Sequence, residues 1–261
     1  MRVQHAILVG LLLVSFVFVA ASPGILVGPA EPAHPSMALP VFITKTKSTN
    51  WGGYAVTGPS GSVTMVSGSW VEPKVVGSCP SSARYASFWV GIDGYSSSTV
   101  EQTGTDVDCS GGQAAYYAWY EFYPAASVNI GSVPIHPGDV ISAKVTSSGA
   151  SFKVSLTDAT TRKSFSITKT VGGAKRDSAE WIVESPEICS TTCTIAKLTD
   201  FGTADLKGTN EATVSGTTAH IGKFSTVVEI TLMNSSNTKV RAMPSALSSG
   251  GSSFTVVWKS A

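Results

Sequence analysis

Apolar and polar positions alternate with a period of two along much of the chain. Phe152, Val154 and Leu156 interleave with Lys153, Ser155 and Thr157, and Phe165 and Ile167 with Ser166 and Thr168. That period puts successive side chains on opposite faces of a pleated strand. Val140–Val145 follows the turn sequence His136-Pro137-Gly138-Asp139, and Val227–Met233 and Phe254–Trp258 are further runs rich in β-branched and aromatic residues. No stretch after Thr46 sustains a helical repeat, and no internal repeat is visible. Many short strands at regular spacing predict an all-β sandwich or barrel.

Three segments combine this alternation with unusual chemistry. In Tyr116–Pro124, Tyr116, Ala118, Tyr120 and Phe122 share a face suited to a core. Tyr117, Trp119, Glu121 and Tyr123 share the other, which suggests a groove that grips an extended ligand; the bland alternative is a sandwich core with Glu121 at an edge. In Ala179–Glu184, Glu180, Ile182 and Glu184 lie on one face, with Trp181 and Val183 on the other. The glutamates belong either to a solvated face or to a cleft, where partial burial raises a carboxyl pKa towards general acid–base use. In Val100–Asp106 the pattern predicts a strand that gives way to a turn at Thr103-Gly104, just after Gln102. A buried glutamine is either a structural hydrogen-bonder or a preorganised donor to a developing oxyanion.

The N-terminal stretch departs from this pattern. Arg2 precedes an uncharged apolar run, Ala6–Ala20, and Ala20-Ala21 offers small residues for cleavage, as in an export signal. Pro23, Pro29, Pro32, Pro35 and Pro40 then fall in a segment without periodicity. The expected organisation is a signal peptide over 1–21, a Pro-rich pro-segment or linker over 22–46, and a β-domain over 47–261. A retained membrane anchor is the weaker alternative, because the run is shorter than a spanning helix needs.

Charged residues make up 13% of the 261 residues and the net charge is +1, which gives no argument for nucleic acid or an acidic partner. A fold with few ion pairs loses little when acid protonates its carboxylates; the bland alternative is that an exported β-protein simply favours Ser and Thr. Cys79, Cys109, Cys189 and Cys193 form an even set in an export context. Of the three connectivities, Cys79–Cys109 with Cys189–Cys193 is favoured by the short separation of the second pair. A metal site is poorly supported: neither spacing is CxxC, and His136 and His220 are the only histidines beyond the leader and its Pro-rich tail. Asn234-Ser235-Ser236 is an unspecific glycosylation sequon.

Familiar catalytic sets are missing. There is no HExxH, no GxSxG, and no Asp-Thr-Gly or Asp-Ser-Gly. What remains is acid–base chemistry by carboxylates, helped by an amide.

Five blocks in order carry a resemblance: Asn50-Trp51-Gly52-Gly53-Tyr54, Phe88-Trp89-Val90-Gly91-Ile92-Asp93-Gly94, Gln102-Thr103-Gly104-Thr105-Asp106, Ala118-Trp119-Tyr120-Glu121-Phe122-Tyr123-Pro124 and Ala179-Glu180-Trp181-Ile182-Val183-Glu184. From about Ser48 onward the chain resembles the glutamic peptidases, the eqolisin or G1 family. That resemblance implies an antiparallel β-sandwich of two large sheets, a concanavalin-A-like jelly roll. It implies a secreted acid endopeptidase without metal or cofactor, in which Gln102 and Glu184 form the catalytic pair and Glu180 is the fallback. Trp51, Trp89, Asp93, Asp106 and Glu121 are then expected around the cleft. Expected partners are polypeptide substrates, with no nucleic acid, no membrane after leader cleavage, and a monomeric state. Two departures from the fungal pattern, Val107 after Asp106 and Ser185-Pro186 after Glu184, bear on substrate preference only. The competing readings are a jelly-roll glycoside hydrolase using Glu121 and Glu184, and a non-catalytic lectin-like module. Neither needs Gln102.

Overall fold

The computed structural model describes residues 43–189 and 192–261; the expected signal peptide and the Pro-rich stretch up to residue 42 lie outside them. The strands are, in chain order, β1 Ile43–Ser48, β2 Trp51–Thr57, β3 Val63–Val71, β4 Ser87–Ile92, β5 Val100–Ser110, β6 Gln113–Tyr123, β7 Val128–Pro134, β8 Val140–Ser148, β9 Ser151–Asp158 and β10 Lys163–Thr170. They continue as β11 Ser178–Glu184, β12 Glu187–Cys189, β13 Cys193–Ile195, β14 Thr203–Leu206, β15 Glu211–Val214, β16 Thr217–His220, β17 Val227–Met233, β18 Val240–Pro244 and β19 Phe254–Trp258. The one helical turn among the described residues is a 3-10 turn at Ile221–Lys223.

Pairing separates two layers. The first runs β1-β17-β2-β11-β4-β5-β6-β7, and the second runs β16-β15-β3-β8-β9-β10. A strip formed by β14, β19 and β18 connects β3 to β17 and so joins the layers at one end. Every strand pair is antiparallel except β1–β17. Between the layers, β4 packs on β3 and β8, and β5 packs on β8 and β9, without pairing. This is the expected sandwich.

The alternation in the sequence explains the packing. Phe88, Val90 and Ile92 of β4, Ala118, Tyr120 and Phe122 of β6, and Trp181 and Val183 of β11 all enter the interlayer core. They meet Ile141, Val145, Phe152, Val154 and Leu156 from the opposing layer. Full burial of such a side chain stabilises by about 1.5–3 kcal/mol. Two indoles of the interlayer core keep partners: Trp181 Nε1 donates to Ser67 O at 2.8 Å and Trp70 Nε1 to Thr105 Oγ1 at 2.9 Å. The outer face of the first layer carries an apolar cluster as well, formed by Ala55, Trp89, Trp119, Ile182, Val228 and Ile230. An apolar outer face is what a sheet needs to floor a cleft.

Two details differ from expectation. Ile43–Thr46, placed by sequence at the end of the Pro-rich segment, belong to β1, held in register against Val227–Ile230 of β17 and by Lys45 Nζ donating to Glu229 Oε1 at 3.0 Å. And no turn follows Gln102: β5 runs unbroken through Thr103-Gly104 to Ser110. Gly104 is required by close approach instead. A Cβ there would lie 2.1 Å from Phe88 O and 2.6 Å from Trp89 Cβ. The disulfides are Cys79–Cys109 and Cys189–Cys193, the pairing favoured by spacing.

Candidate active site

Strand register assembles the site on the outer face of the first layer. Trp51, Glu184, Ser87, Asp106 and Tyr117 form one cross-strand row through β2, β11, β4, β5 and β6. Ala55, Glu180, Gly91, Gln102 and Glu121 form a second row, and Gly53, Ile182, Trp89, Gly104 and Trp119 the row between them. Gly91 and Gly104 leave room for the Trp89 indole; a Cβ on Gly91 would meet that ring at 2.9 Å.

A cleft of about 650 Å³ opens over these rows, and Trp51, Gln102, Asp106, Glu121 and Glu184 all line it. The Trp89 indole crosses Trp51 edge-to-face, with centroids 5.0 Å apart at 77°. That contact fixes Trp89 so that its Nε1 donates to Glu184 Oε2 at 2.8 Å. Asn50 Nδ2 donates to the other oxygen, Oε1, at 3.5 Å. Burial pushes the Glu184 carboxyl up to about 8, the Trp89 N–H pulls against it, and the neighbouring carboxylates of Glu121 and Asp106 push the same way as burial.

Gln102 is 5% exposed, and its Nε2 donates to Glu121 Oε2 at 2.6 Å across the β5–β6 pair. Its Oε1 has no partner among the described residues. Burial raises the Glu121 pKa and this hydrogen bond lowers it. Asp106, at the cleft floor, is pushed up to about 7, first by burial and then by Asp108. The Tyr117 hydroxyl stands 3.0 Å from Asp106 Oδ2 and 2.8 Å from Asp108 Oδ2.

Trp89 is fully buried beneath the cleft and reaches it only through Glu184, and two other expected residues lie elsewhere. Glu180 is fully buried, does not line the cleft, and neither of its oxygens has a partner among the described residues. Asp93 does not line the cleft either. Its carboxylate accepts the backbone N–H groups of Arg176 at 2.8 Å and Asp177 at 3.0 Å, which holds a left-handed turn at φ 72. It ties the β4–β5 connection to the start of β11.

Sequence reasoning missed four contributors. Asn50 sits inside the Asn50-Trp51 block, and nothing in its local sequence signals its contact with Glu184. Ser87 is signalled only by pairing with both Glu184 and Asp106. Asp108 follows Asp106 at the strand period of two. The fourth is the hairpin β12–β13, closed by Cys189–Cys193, which brings Pro186, Glu187 and Ile188 to the cleft wall.

Comparisons place this geometry among known proteins. The model of the Peptidase A4 family matches residues 49–256. The chain is 32% identical over 193 residues to Aspergillopepsin-2 of Aspergillus niger, covering 66% of each protein. It is 36% identical over 151 residues to Scytalidopepsin B of Scytalidium lignicola, covering 56% of this chain and 55% of that relative. The matches thus span 66% and 55% of the relatives' own lengths. The solved structure of scytalido-glutamic peptidase with a peptide-based transition state analog superposes with a TM-score of 0.69 at 26% identity, covering 81% of this chain and 98% of the other.

Proposed function

The chain belongs to the Peptidase A4 family, and from that premise we propose that it is a secreted glutamic endopeptidase that cuts proteins on the acid side of neutrality with Gln102 and Glu184 as its catalytic pair. The observation that carries the reading is the shared cleft: a carboxyl anchored by Trp89 and a carboxamide oriented by Glu121 face one volume. A peptide-based transition state analog in the related structure supports a polypeptide substrate.

The chemistry follows from these groups. Ionised Glu184 takes a proton from a bound water, whose oxygen attacks the scissile carbonyl. One N–H of Gln102 is held by Glu121. The other N–H is free to donate to the oxyanion, a contact worth about 2.7–4 kcal/mol in comparable sites. Glu184 then passes its proton to the leaving nitrogen, and the C–N bond breaks. The cycle returns Glu184 to its carboxylate without an outside proton.

Charge counting points to acid operation. Repulsion among Glu184, Glu121 and Asp106 acts only when two of them are ionised, so the first carboxylate in the cleft forms free of it. Donors at both oxygens offset part of the burial that raises Glu184, and on them we assign it that charge. Raising the pH adds a second charge and ends the working state.

Export is supported by Arg2, the Ala6–Ala20 run and two disulfides. N-terminal sequencing of the secreted product tests the expected boundaries at 21 and 46. For the chemistry, purified Glu184→Gln and Gln102→Ala proteins, confirmed folded by circular dichroism, are assayed on unfolded casein at about pH 4. Both are expected to be inactive. Near-full activity in either removes the pair. Loss in Glu180→Gln with Glu184→Gln active transfers the role to Glu180, and sugar release from β-glucan without casein cleavage transfers the protein to the glycoside hydrolases.

A further inference from the structure

Building on the peptidase reading, we propose that Tyr117 is a positioning residue that makes Asp106 and Asp108 share one proton, so that the cleft floor carries no second charge beside Glu184. The reasoning is a count of hydrogens. A phenol has one. Tyr117 Oη lies 3.0 Å from Asp106 Oδ2 and 2.8 Å from Asp108 Oδ2, and it donates to only one of them at a time. Both contacts are hydrogen bonds only when the other aspartate is protonated and donates to the phenol oxygen. With both ionised, one carboxylate faces a phenol lone pair.

Burial decides where the proton rests. Asp106 is 8% exposed, while Asp108 is only half-buried. Burial pushes Asp108 up to about 6, less far than Asp106, so as pH rises the charge settles first on Asp108 while the proton stays on Asp106 and the phenol donates to Asp108. The surroundings favour this. Asp106 shares its cross-strand row with Glu184 from β11 and Ser87 from β4, Trp119 from β6 stands near it, and Glu72 acts on it from behind the sheet. Arg84, bridged through its backbone to Cys109, makes no ion pair with either aspartate among the described residues. An ionised Asp106 pushes the Glu184 carboxyl up. Keeping Asp106 neutral therefore leaves Glu184 free to be the cleft's carboxylate.

The test is a ¹³C NMR titration of the aspartate carboxyls, run beside a pH profile of kcat/KM on a peptide substrate. In the wild-type protein the pair is expected to titrate in two well-separated steps. In Tyr117→Phe the upper step is expected to fall by about one pH unit or more towards the lower, since the singly protonated state loses its bridge. The descending limb of the profile should fall with it. An upper step that stays or rises overturns the proposal, because Tyr117 is then packing or a plain donor. Asp108→Asn, which removes one member of the pair, should leave Asp106 titrating in a single step below the wild-type upper step; an unmoved upper step also overturns it. The titration needs no substrate. A wild-type protein that cuts no peptide sinks the peptidase reading, whereas only the titration sinks the shared proton.

Discussion

A carboxyl group that serves first as base and then as acid works best as the sole charge in its cleft, and the amide opposite must hold still. Gln102 cannot orient itself. Among the described residues its Oε1 is unpartnered and its Nε2 is held by Glu121 alone. Glu121→Leu removes that acceptor and lets the carboxamide turn. A hydrogen bond of this kind contributes about 1–1.5 kcal/mol, so kcat is expected to fall roughly tenfold with KM little changed. Steady-state kinetics on a fluorogenic peptide reads both constants. An unchanged kcat would mean that packing alone orients Gln102. At this scale the sequence was informative where a side chain acts through its own strand: Glu184 and Glu121 stand on the faces that alternation assigned. It was silent where a residue acts across strands, as Asn50 does on Glu184 and Tyr117 on two aspartates. Those contacts depend on register, which no local pattern encodes.

Strands fare similarly. β6, β9 and β11 were legible because one or both faces are buried, and burial writes period two or an unbroken apolar run into the sequence. β16, Thr217–His220, is exposed or half-buried along its length, and its polar sequence reads as loop. β5 was misread at its middle. Glycine after a polar residue is ordinarily turn chemistry, yet Gly104 keeps the strand straight under Phe88 and Trp89. Gly104→Ala is expected to destabilise by about 3 kcal/mol or more, since the added methyl meets backbone that cannot move aside. It should also displace Trp89 and with it Glu184. Gly131→Ala on β7, where a Cβ meets nothing within 4 Å, is the control and should leave Tm in place. Thermal unfolding of the two variants decides the matter; equal Tm values would remove the close-approach account of Gly104.

For the whole molecule, sequence gave acid tolerance a reason through few ion pairs, and only three are found among the described residues. The fold adds a second reason that composition could not reveal. Burial pushes Glu72 and Glu101 up to about 8 and Asp106 up to about 7, and raises Glu180 well above the usual range. The folded state therefore binds these protons more tightly than the unfolded chain, whose carboxyls titrate near 4. The resulting stability is fully present below about pH 4 and is lost as pH rises through the folded values, by up to about 1.4 kcal/mol per pH unit for each group. Tm measured from pH 4 to pH 8 is expected to fall, most steeply above pH 5. A flat or rising Tm would mean that these carboxyls find partners or solvent as charged groups. The central claim concerns two side chains acting on one water and one oxyanion, and kcat/KM for Gln102→Ala, Glu184→Gln and the double variant measures it directly. Gln102→Ala should lose at least about 10²–10³-fold, Glu184→Gln more, and the double variant no more than the worse single, since groups acting as a unit are not additive. Losses that multiply, or a single variant near wild type, would contradict a shared site.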